Sequence, residues 1–159
     1  MALSEWRSIF SIKGKKLKQG DYWLLMFDEN LVPDSPDLGW KQYIRNTCAR
    51  FNCTKCGRGW PSNRVMVVFH MCLTRGVGIV KVRRFRQNCK MCDEAPMETA
   101  SISSENIGIL LENLVEKIRI KCYHENLGTG NRHFVSLDVK SPHEPEHCEA
   151  CKLGICARS

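Results

Sequence analysis

The spacing of apolar residues predicts two helices in this chain. Segment 104–122 is the longer one, because Ser104 is a suitable N-cap and one face of the helix is apolar along its length. The residues of that face are Ile107, Leu110, Leu111, Leu114, Val115, Ile118 and Cys122. A shorter amphipathic helix is predicted near the N-terminus, with Trp6, Ile9 and Phe10 on one face.

Other apolar runs have the length and composition of strands. We predict strands at Asp21–Asp28, Arg64–His70, Ile79–Gln87 and Phe134–Val139. The second and third are separated by the turn Thr74–Gly78, whose glycines favour an antiparallel hairpin. Segment Ala49–Cys53 is compatible with either a short strand or a frayed helix. From Ser141 onward the chain has too few apolar residues to fold unaided.

The ten cysteines are the least usual feature of the composition. A chain of 159 residues that is 43% hydrophobic can bury a core without disulfides. The sequence shows no secretory signal and no run of about 18 apolar residues, which predicts a soluble, cytosolic protein with reduced cysteines. Six of the ten form CxxC pairs, a spacing that favours zinc. The pairs are Cys53/Cys56, Cys89/Cys92 and Cys148/Cys151.

The predicted hairpin places the first two CxxC pairs next to each other. Its outgoing strand leaves soon after Cys56 and its returning strand ends just before Cys89, so an antiparallel pair brings these ends together. Gly57 allows a tight turn that directs two thiolates to one side. Because a tetrahedral zinc takes four such ligands, we predict a first site formed by Cys53, Cys56, Cys89 and Cys92.

The third pair needs partners of its own, since the first site is complete without it. His143, Cys148, Cys151 and Cys156 offer one imidazole and three thiolates within 14 residues. This spacing predicts a second zinc site and therefore two zinc ions per chain. His147 is adjacent to Cys148 and could take the place of His143.

Both predicted sites are filled by protein ligands, whereas a catalytic zinc keeps one open position. The sequence also contains no H-E-x-x-H motif, no Walker loop and no nucleophile elbow. We therefore expect neither enzymatic activity nor a small-molecule substrate.

Together these elements predict an α+β fold. It would combine a small antiparallel sheet with a zinc-ribbon-like hairpin, one long amphipathic helix and a C-terminal zinc knuckle. We expect a single domain with three parts. These are an amphipathic, basic arm at 1–20, a zinc-ribbon-like core at 21–142 and the knuckle at 143–159.

The formal net charge of +7 raises the question of an acidic partner, although metal-bound thiolates would reduce it. Single-stranded RNA could contact a basic patch with an aromatic ring for stacking. That patch would consist of Lys81, Arg83, Arg84, Phe85, Arg86 and Lys90. Its simpler explanation is a charged strand pair that shields a sheet edge.

A membrane surface or a protein partner could instead contact the N-terminal arm. The residues of that contact would be Trp6, Ile9, Phe10, Lys13, Lys15 and Lys16. The simpler explanation is a solvated basic segment whose helix packs against the core of its own chain.

Longer motifs are distributed from about Trp23 to Ile155. They include GWKQY at 39–43, VFHM at 68–71, and PH followed by CEAC at 142–151. In these motifs and in its CxxC pairs the chain resembles the receptor-transporting proteins, a family of three-CxxC zinc-finger proteins.

The resemblance implies a zinc domain at the cytoplasmic face of the endoplasmic reticulum or plasma membrane. Full-length members are attached through a single C-terminal anchor, which has no counterpart up to Ser159. The implied function is an adaptor or chaperone that binds G-protein-coupled receptors of the odorant or taste type and promotes their trafficking to the cell surface. An alternative that the resemblance also implies is an interferon-induced antiviral effector that binds viral RNA.

Overall fold

Four strands and two long helices account for most of the regular structure in the computed structural model, which describes residues 2–125 and 143–153. The helices are α1 (Ala2–Lys13), α2 (Ser104–Lys121) and the short α3 (Glu149–Lys152). The strands are β1 (Tyr22–Phe27), β2 (Lys41–Asn52), β3 (Gly59–Thr74) and β4 (Val77–Arg84). The predicted strand Phe134–Val139 lies outside the described residues.

The four strands form one sheet in the order β1-β4-β3-β2. The turn Arg75-Gly76 joins β3 to β4, and both of its residues have positive φ (51° and 79°), as in a type I′ hairpin. β1 pairs with β4 in parallel, beginning with Tyr22 opposite Val77. The α+β class and the hairpin are therefore confirmed. The sheet is mixed rather than wholly antiparallel, because β1 adds to the open side of β4 in the parallel direction.

The segment that was compatible with strand or helix, Ala49–Cys53, forms the end of the long strand β2 up to Asn52. The long predicted helix is confirmed as α2, but its N-terminal cap differs from the prediction. The Ser103 hydroxyl, rather than that of Ser104, accepts a hydrogen bond from the Asn106 N–H at 3.2 Å. Ser103 therefore satisfies one of the free N–H groups at the start of the helix.

Tertiary contacts divide the chain into two units, and β2 and β3 contribute to both. The first unit comprises Met1–Tyr43, Val68–Arg83 and Ile107–His133. The second comprises Ile44–Val67, Arg84–Asn106 and Phe134–Ser159. The division into parts at 1–20, 21–142 and 143–159 stays a prediction.

The core of the first unit combines aromatic rings with the apolar face of α2. Trp6 meets Phe27 edge to face, with 5.6 Å between ring centroids, and Tyr43 stacks on Phe69 at 5.7 Å. Such pairs add to the stabilisation from buried apolar area. The buried residues of α2 in this unit are Ile107, Ile109, Leu110, Leu111, Asn113, Leu114, Val115 and Ile118.

Gly78 makes room for the ring of Trp23, which lies opposite it in the parallel register. A Cβ atom at position 78 would stand 2.2 Å from that ring. The ring is held in place because Trp23 Nε1 donates to Tyr123 Oη at 3.0 Å, and the Tyr123 hydroxyl donates to Asp21 Oδ2 at 2.6 Å. Burial and the hydrogen bond to Asp21 raise the pKa of Tyr123 to about 12.

We predict that Gly78→Ala destabilises the chain by about 1–3 kcal/mol, because the added methyl group must displace a ring that is fixed at its far end. Gly108→Ala in α2 is the matched control. There the nearest atom to a new Cβ is Lys13 Cε at 3.8 Å, so the helix should gain about 0.5–1 kcal/mol. Chemical denaturation measures both variants, and equal effects would contradict this account of Gly78.

Candidate metal centre

Four cysteine sulfurs from two separate loops meet in the second unit. Cys53 and Cys56 lie in the turn between β2 and β3, and Cys89 and Cys92 follow β4. The four Sγ atoms lie within 4.8 Å of one another, with 3.9 Å between Cys53 and Cys92 and 3.8 Å between Cys56 and Cys89. The structure thus brings together the residues of the first predicted site.

The backbone of the first loop is shaped for two ligands. Cys53 N–H donates to the carbonyl of Arg58, and Gly57 N–H donates to the carbonyl of Cys53, both at 2.8 Å. Gly57 has φ of +80°, a conformation that favours glycine. Lys55 N–H points at Cys53 Sγ at 3.3 Å, and such a donor stabilises a thiolate.

The ionisation of these thiols is strongly uneven. Burial raises the pKa of Cys89, but hydrogen bonds outweigh it and lower the pKa to about 6; the largest is from Arg58 Nε, 3.2 Å from the sulfur. The pKa of Cys92 is raised to about 12 through its hydrogen bond to Cys56, burial and the remaining sulfurs. The two shifts are opposite in direction because Cys89 has the Arg58 donor, whereas Cys92 is surrounded by other sulfurs and is desolvated by burial.

Zinc fits this arrangement in distance and in charge. A tetrahedral ion with Zn–S bonds of about 2.3 Å separates its sulfur ligands by about 3.8 Å. A disulfide would instead need about 2.05 Å. A divalent cation would also stabilise the thiolate form of Cys92, which the neighbouring thiol and burial disfavour, so the donor set suits a zinc ion with four thiolate ligands.

Residues outside the CxxC motifs brace the first loop. The Glu98 carboxylate accepts hydrogen bonds from both the N–H and the hydroxyl of Thr54, each at 2.8 Å. The Arg58 guanidinium lies 4.6 Å from the ring centroid of Trp60, which in turn stacks on Phe51 at 5.4 Å. These contacts fix the loop and aim Arg58 at the cysteine cluster. Sequence reasoning missed them, since neither Arg58 nor Glu98 stands in a recognisable motif.

A second cluster forms around α3. The ligand atoms of His143, Cys148 and Cys151 lie within 4.8 Å of one another, and His143 Nε2 is 3.3 Å from Cys151 Sγ. Burial and the charge of Arg64 lower the pKa of His143, which favours the neutral imidazole that a metal requires. The structure therefore brings together three of the four residues predicted for the second site. Cys156 lies outside the described residues.

His147 does not belong to the second cluster among the described residues, and it hydrogen-bonds to Asn88. Its Nδ1 is 2.8 Å from Asn88 Oδ1, and its carbonyl accepts from Asn88 N–H at 3.0 Å. Arg86 and Glu149 hold the same segment, with Nη2 to Oε2 at 2.6 Å and further bonds from the Arg86 N–H and Nε. The C-terminal segment is thus attached to the chain just after β4.

The structure corrects one residue of the predicted RNA patch, and the patch as a whole stays a prediction. Phe85 is 2% exposed and cannot stack on a base. Three of the cations have intramolecular partners, because Lys81 lies 3.9 Å from Asp28, Arg83 donates to the carbonyl of Leu31, and Arg86 binds Glu149. Arg84 is half-buried and also has an interaction partner, and Lys90 is exposed. The simpler explanation, a charged strand pair that shields a sheet edge, is wrong, because β3 and β4 are the two inner strands of the sheet.

The predicted contact surface of the N-terminal arm is also corrected in part. Trp6 and Phe10 are 2% and 5% exposed, because α1 packs its apolar face against β1. Ile9 and Lys13 are half-buried, while Lys15 and Lys16 are exposed. Lys15 and Lys16 are therefore fully available to a partner, and Ile9 and Lys13 are available in part, without unfolding α1.

Among residues 2–125 and 143–153, no helix combines the length and apolarity that a membrane crossing requires. The longest, α2, has 18 residues, and six of them are charged.

Comparison with known proteins agrees with the cysteine geometry. A family model described as a zinc-binding domain, a zinc ribbon with three CxxC motifs, matches residues 46–154. Receptor-transporting protein 2 of Mus musculus is 38% identical over 154 residues, which cover 95% of this chain and 69% of the relative. The chain belongs to the receptor-transporting protein family.

Other receptor-transporting proteins are similar over different shares of their length. Receptor-transporting protein 3 of Mus musculus is 39% identical, covering 98% of this chain but 34% of the relative. Receptor-transporting protein 1 of Homo sapiens is 38% identical, covering 95% of this chain and 59% of the relative. No solved structure matches the chain. The family match and the cysteine clusters together identify a zinc-binding domain, and neither the family description nor these names refer to a chemical reaction.

We predict that Arg86→Ala destabilises the chain by about 1–3 kcal/mol, because Glu149, whose side chain is 12% exposed, loses its cationic partner. Lys90→Ala is the control. It removes an exposed charge from the same predicted patch and should change stability by less than about 0.5 kcal/mol. Thermal unfolding compares the two, and an Arg86→Ala chain as stable as the control would refute the structural role.

Proposed function

We propose that this chain is a zinc-stabilised, non-catalytic adaptor that binds G-protein-coupled receptors and promotes their transport to the cell surface. The observation that carries the proposal is the cluster of four sulfurs within 4.8 Å in a chain of the receptor-transporting protein family. Receptor transport is what the names of its relatives describe, and the odorant and taste receptors are the class implied by the family resemblance.

Two zinc ions per chain would stabilise this adaptor. The first binds Cys53, Cys56, Cys89 and Cys92, and the second binds His143, Cys148 and Cys151 with Cys156 as its fourth ligand. Structural zinc in small domains contributes about 10–16 kcal/mol of apparent binding energy, which becomes folding energy. The zinc ions would therefore hold the fold of the adaptor rigid, and other residues on this fold would recognise the receptor.

A non-catalytic role is supported by the composition of the first cluster. Four thiolates complete the tetrahedral shell of a zinc ion and leave no position for water or substrate. Clusters of metal-binding thiols are also typical of reducing compartments. This supports a place for the chain at the cytoplasmic face of the endoplasmic reticulum or plasma membrane.

Coexpression with an odorant-type receptor tests the function. We predict that the chain raises the amount of receptor at the cell surface, measured by flow cytometry, and that Cys53→Ser with Cys56→Ser abolishes the increase because the fold of the adaptor is lost. Cys72→Ser is the control, since this thiol lies in neither cluster and its sulfur contacts Thr74.

Elemental analysis of purified chains supplies the second readout of the same experiment. The unaltered chain should contain two zinc atoms, falling to one when Cys148 and Cys151 are both changed to serine. A variant that lacks Cys53 and Cys56 yet transports the receptor normally would contradict the proposal, as would an unaltered chain that raises no surface receptor.

A further inference from the structure

β1 lies at one edge of the sheet, and one side of its backbone faces away from β4. Tyr22 N–H donates to the carbonyl of Gly76, and Asp28 N–H donates to that of Val82, so even-numbered residues face β4. Because backbone groups alternate along a strand, those of Trp23 and Leu25 point to the open edge. The Leu25 carbonyl agrees with this direction, since it accepts from Arg7 Nε at 2.8 Å.

Within the part of the chain that the structure describes, the sequence of β1 lacks the features that usually protect an edge strand, and the one contact to this edge noted above is from Arg7 to the Leu25 carbonyl. Natural edges carry charged side chains, proline or bulges that discourage further pairing. β1 reads YWLLMF, with no charge and no proline in its six residues, and five of the six are at least partly covered. Its sequence is that of a strand with partners on both sides.

A groove with a volume of ≈ 620 Å³ runs beside this edge, between β1, α1 and the turn that follows α1. Phe10, Leu17 and Leu25 contribute apolar surface to it. Its charged lining is mainly basic, consisting of Arg7, Lys15 and Lys18 with Asp21 as the acidic exception. Three cations against one carboxylate give the groove a net positive charge.

We propose that the open edge of β1 and this basic groove bind an extended, acidic peptide segment of a partner protein, which adds a strand to the sheet. The segment's backbone would pair with Trp23 and with the N–H of Leu25, since Arg7 already donates to the Leu25 carbonyl, and its carboxylates would meet Lys15 and Lys18. Strand addition of this kind obtains affinity from main-chain hydrogen bonds and specificity from alternate side chains. The inference rests on the proposed function in one respect, that the segment belongs to a transported receptor.

Charge and backbone chemistry favour an acidic peptide strand over a second copy of the chain and over phosphate groups. A second copy of the chain would bring an identical basic groove to the same edge, so that like charges face each other. Phosphate groups of a lipid or a nucleic acid could pair with the lysines, but they offer acceptors only. They would leave the outward carbonyl of Trp23 without a donor, whereas a strand supplies donors and acceptors in alternation.

The test uses the zinc-loaded chain and a synthetic peptide of about six residues, the usual length of a strand, with glutamate alternating with valine. Amide exchange followed by NMR should slow at Trp23 when the peptide binds, whereas the Tyr22 amide, already bonded to Gly76, should not change. Lys15→Glu with Lys18→Glu should weaken binding by about tenfold or more. Lys41→Glu with Arg50→Glu, exposed residues of β2 at the other edge, is the charge-matched control and should bind normally.

Three peptide and ligand comparisons can overturn the proposal. A peptide of the same sequence with N-methylated backbone must fail to bind, because it cannot pair with a strand. If it binds equally well, or if inorganic phosphate or anionic lipid vesicles slow exchange at Trp23 in the same way, the groove is a general anion site. If the Trp23 amide is already protected in the free chain, either another segment or a second copy covers the edge, and light scattering separates these two results.

Failure of this proposal can be told apart from failure of the proposed function. A chain that raises surface receptor but does not bind the acidic peptide would disprove the docking site and leave the function standing. A chain that binds the peptide at β1 but raises no surface receptor would leave the site and disprove the function.

Discussion

The arrangement of the second unit centres on four cysteine sulfurs that lie within 4.8 Å of one another, at distances that suit one zinc ion. Sulfurs separated by 3.8–3.9 Å repel one another once they are ionised, and a divalent cation converts that repulsion into attraction. The two loops that carry them are placed by β2, β3 and β4, so strand pairing and metal binding favour the same arrangement. Because each requires the other, metal binding and folding are expected to be coupled in this unit.

A buried polar network extends this constraint beyond the cysteines, and Gln87 is at its centre. Its backbone forms bridges to Glu98, which holds the first cysteine loop, and to Cys148 of the second cluster. Gln87 therefore connects the two clusters. Its side chain accepts from Trp60 Nε1 at 2.9 Å and donates to Ser62 Oγ at 3.0 Å. Buried polar groups of this kind favour one structure, because each alternative arrangement would leave a donor or acceptor unpaired.

The sequence predicted those features that local spacing decides, namely the long helix, the hairpin turn and the approach of the first two CxxC pairs. The predicted strand began at Arg64, whereas β3 begins at Gly59. Gly59–Asn63 includes Pro61 and has the composition of a turn, so the sequence pattern did not predict a strand there. Pairing with the neighbouring strands overrides this local preference. The parallel pairing of β1 with β4 depends on tertiary packing, so no local sequence pattern predicts it. The burial of Phe85 could not be predicted because arginines stand on both sides of it, a pattern typical of an exposed segment. One of them, Arg86, pairs with Glu149, which is 63 residues away in the sequence.

Removal of the metal tests the central claim most directly. The zinc-loaded chain should show a single cooperative thermal transition, followed by near-ultraviolet circular dichroism, whose aromatic signal reports on fixed tertiary packing. After complete extraction with a strong chelator, the account predicts loss of that signal and of the cooperative transition, both restored by adding zinc. A chain that keeps its tertiary signal and its melting transition without any bound metal would contradict the account.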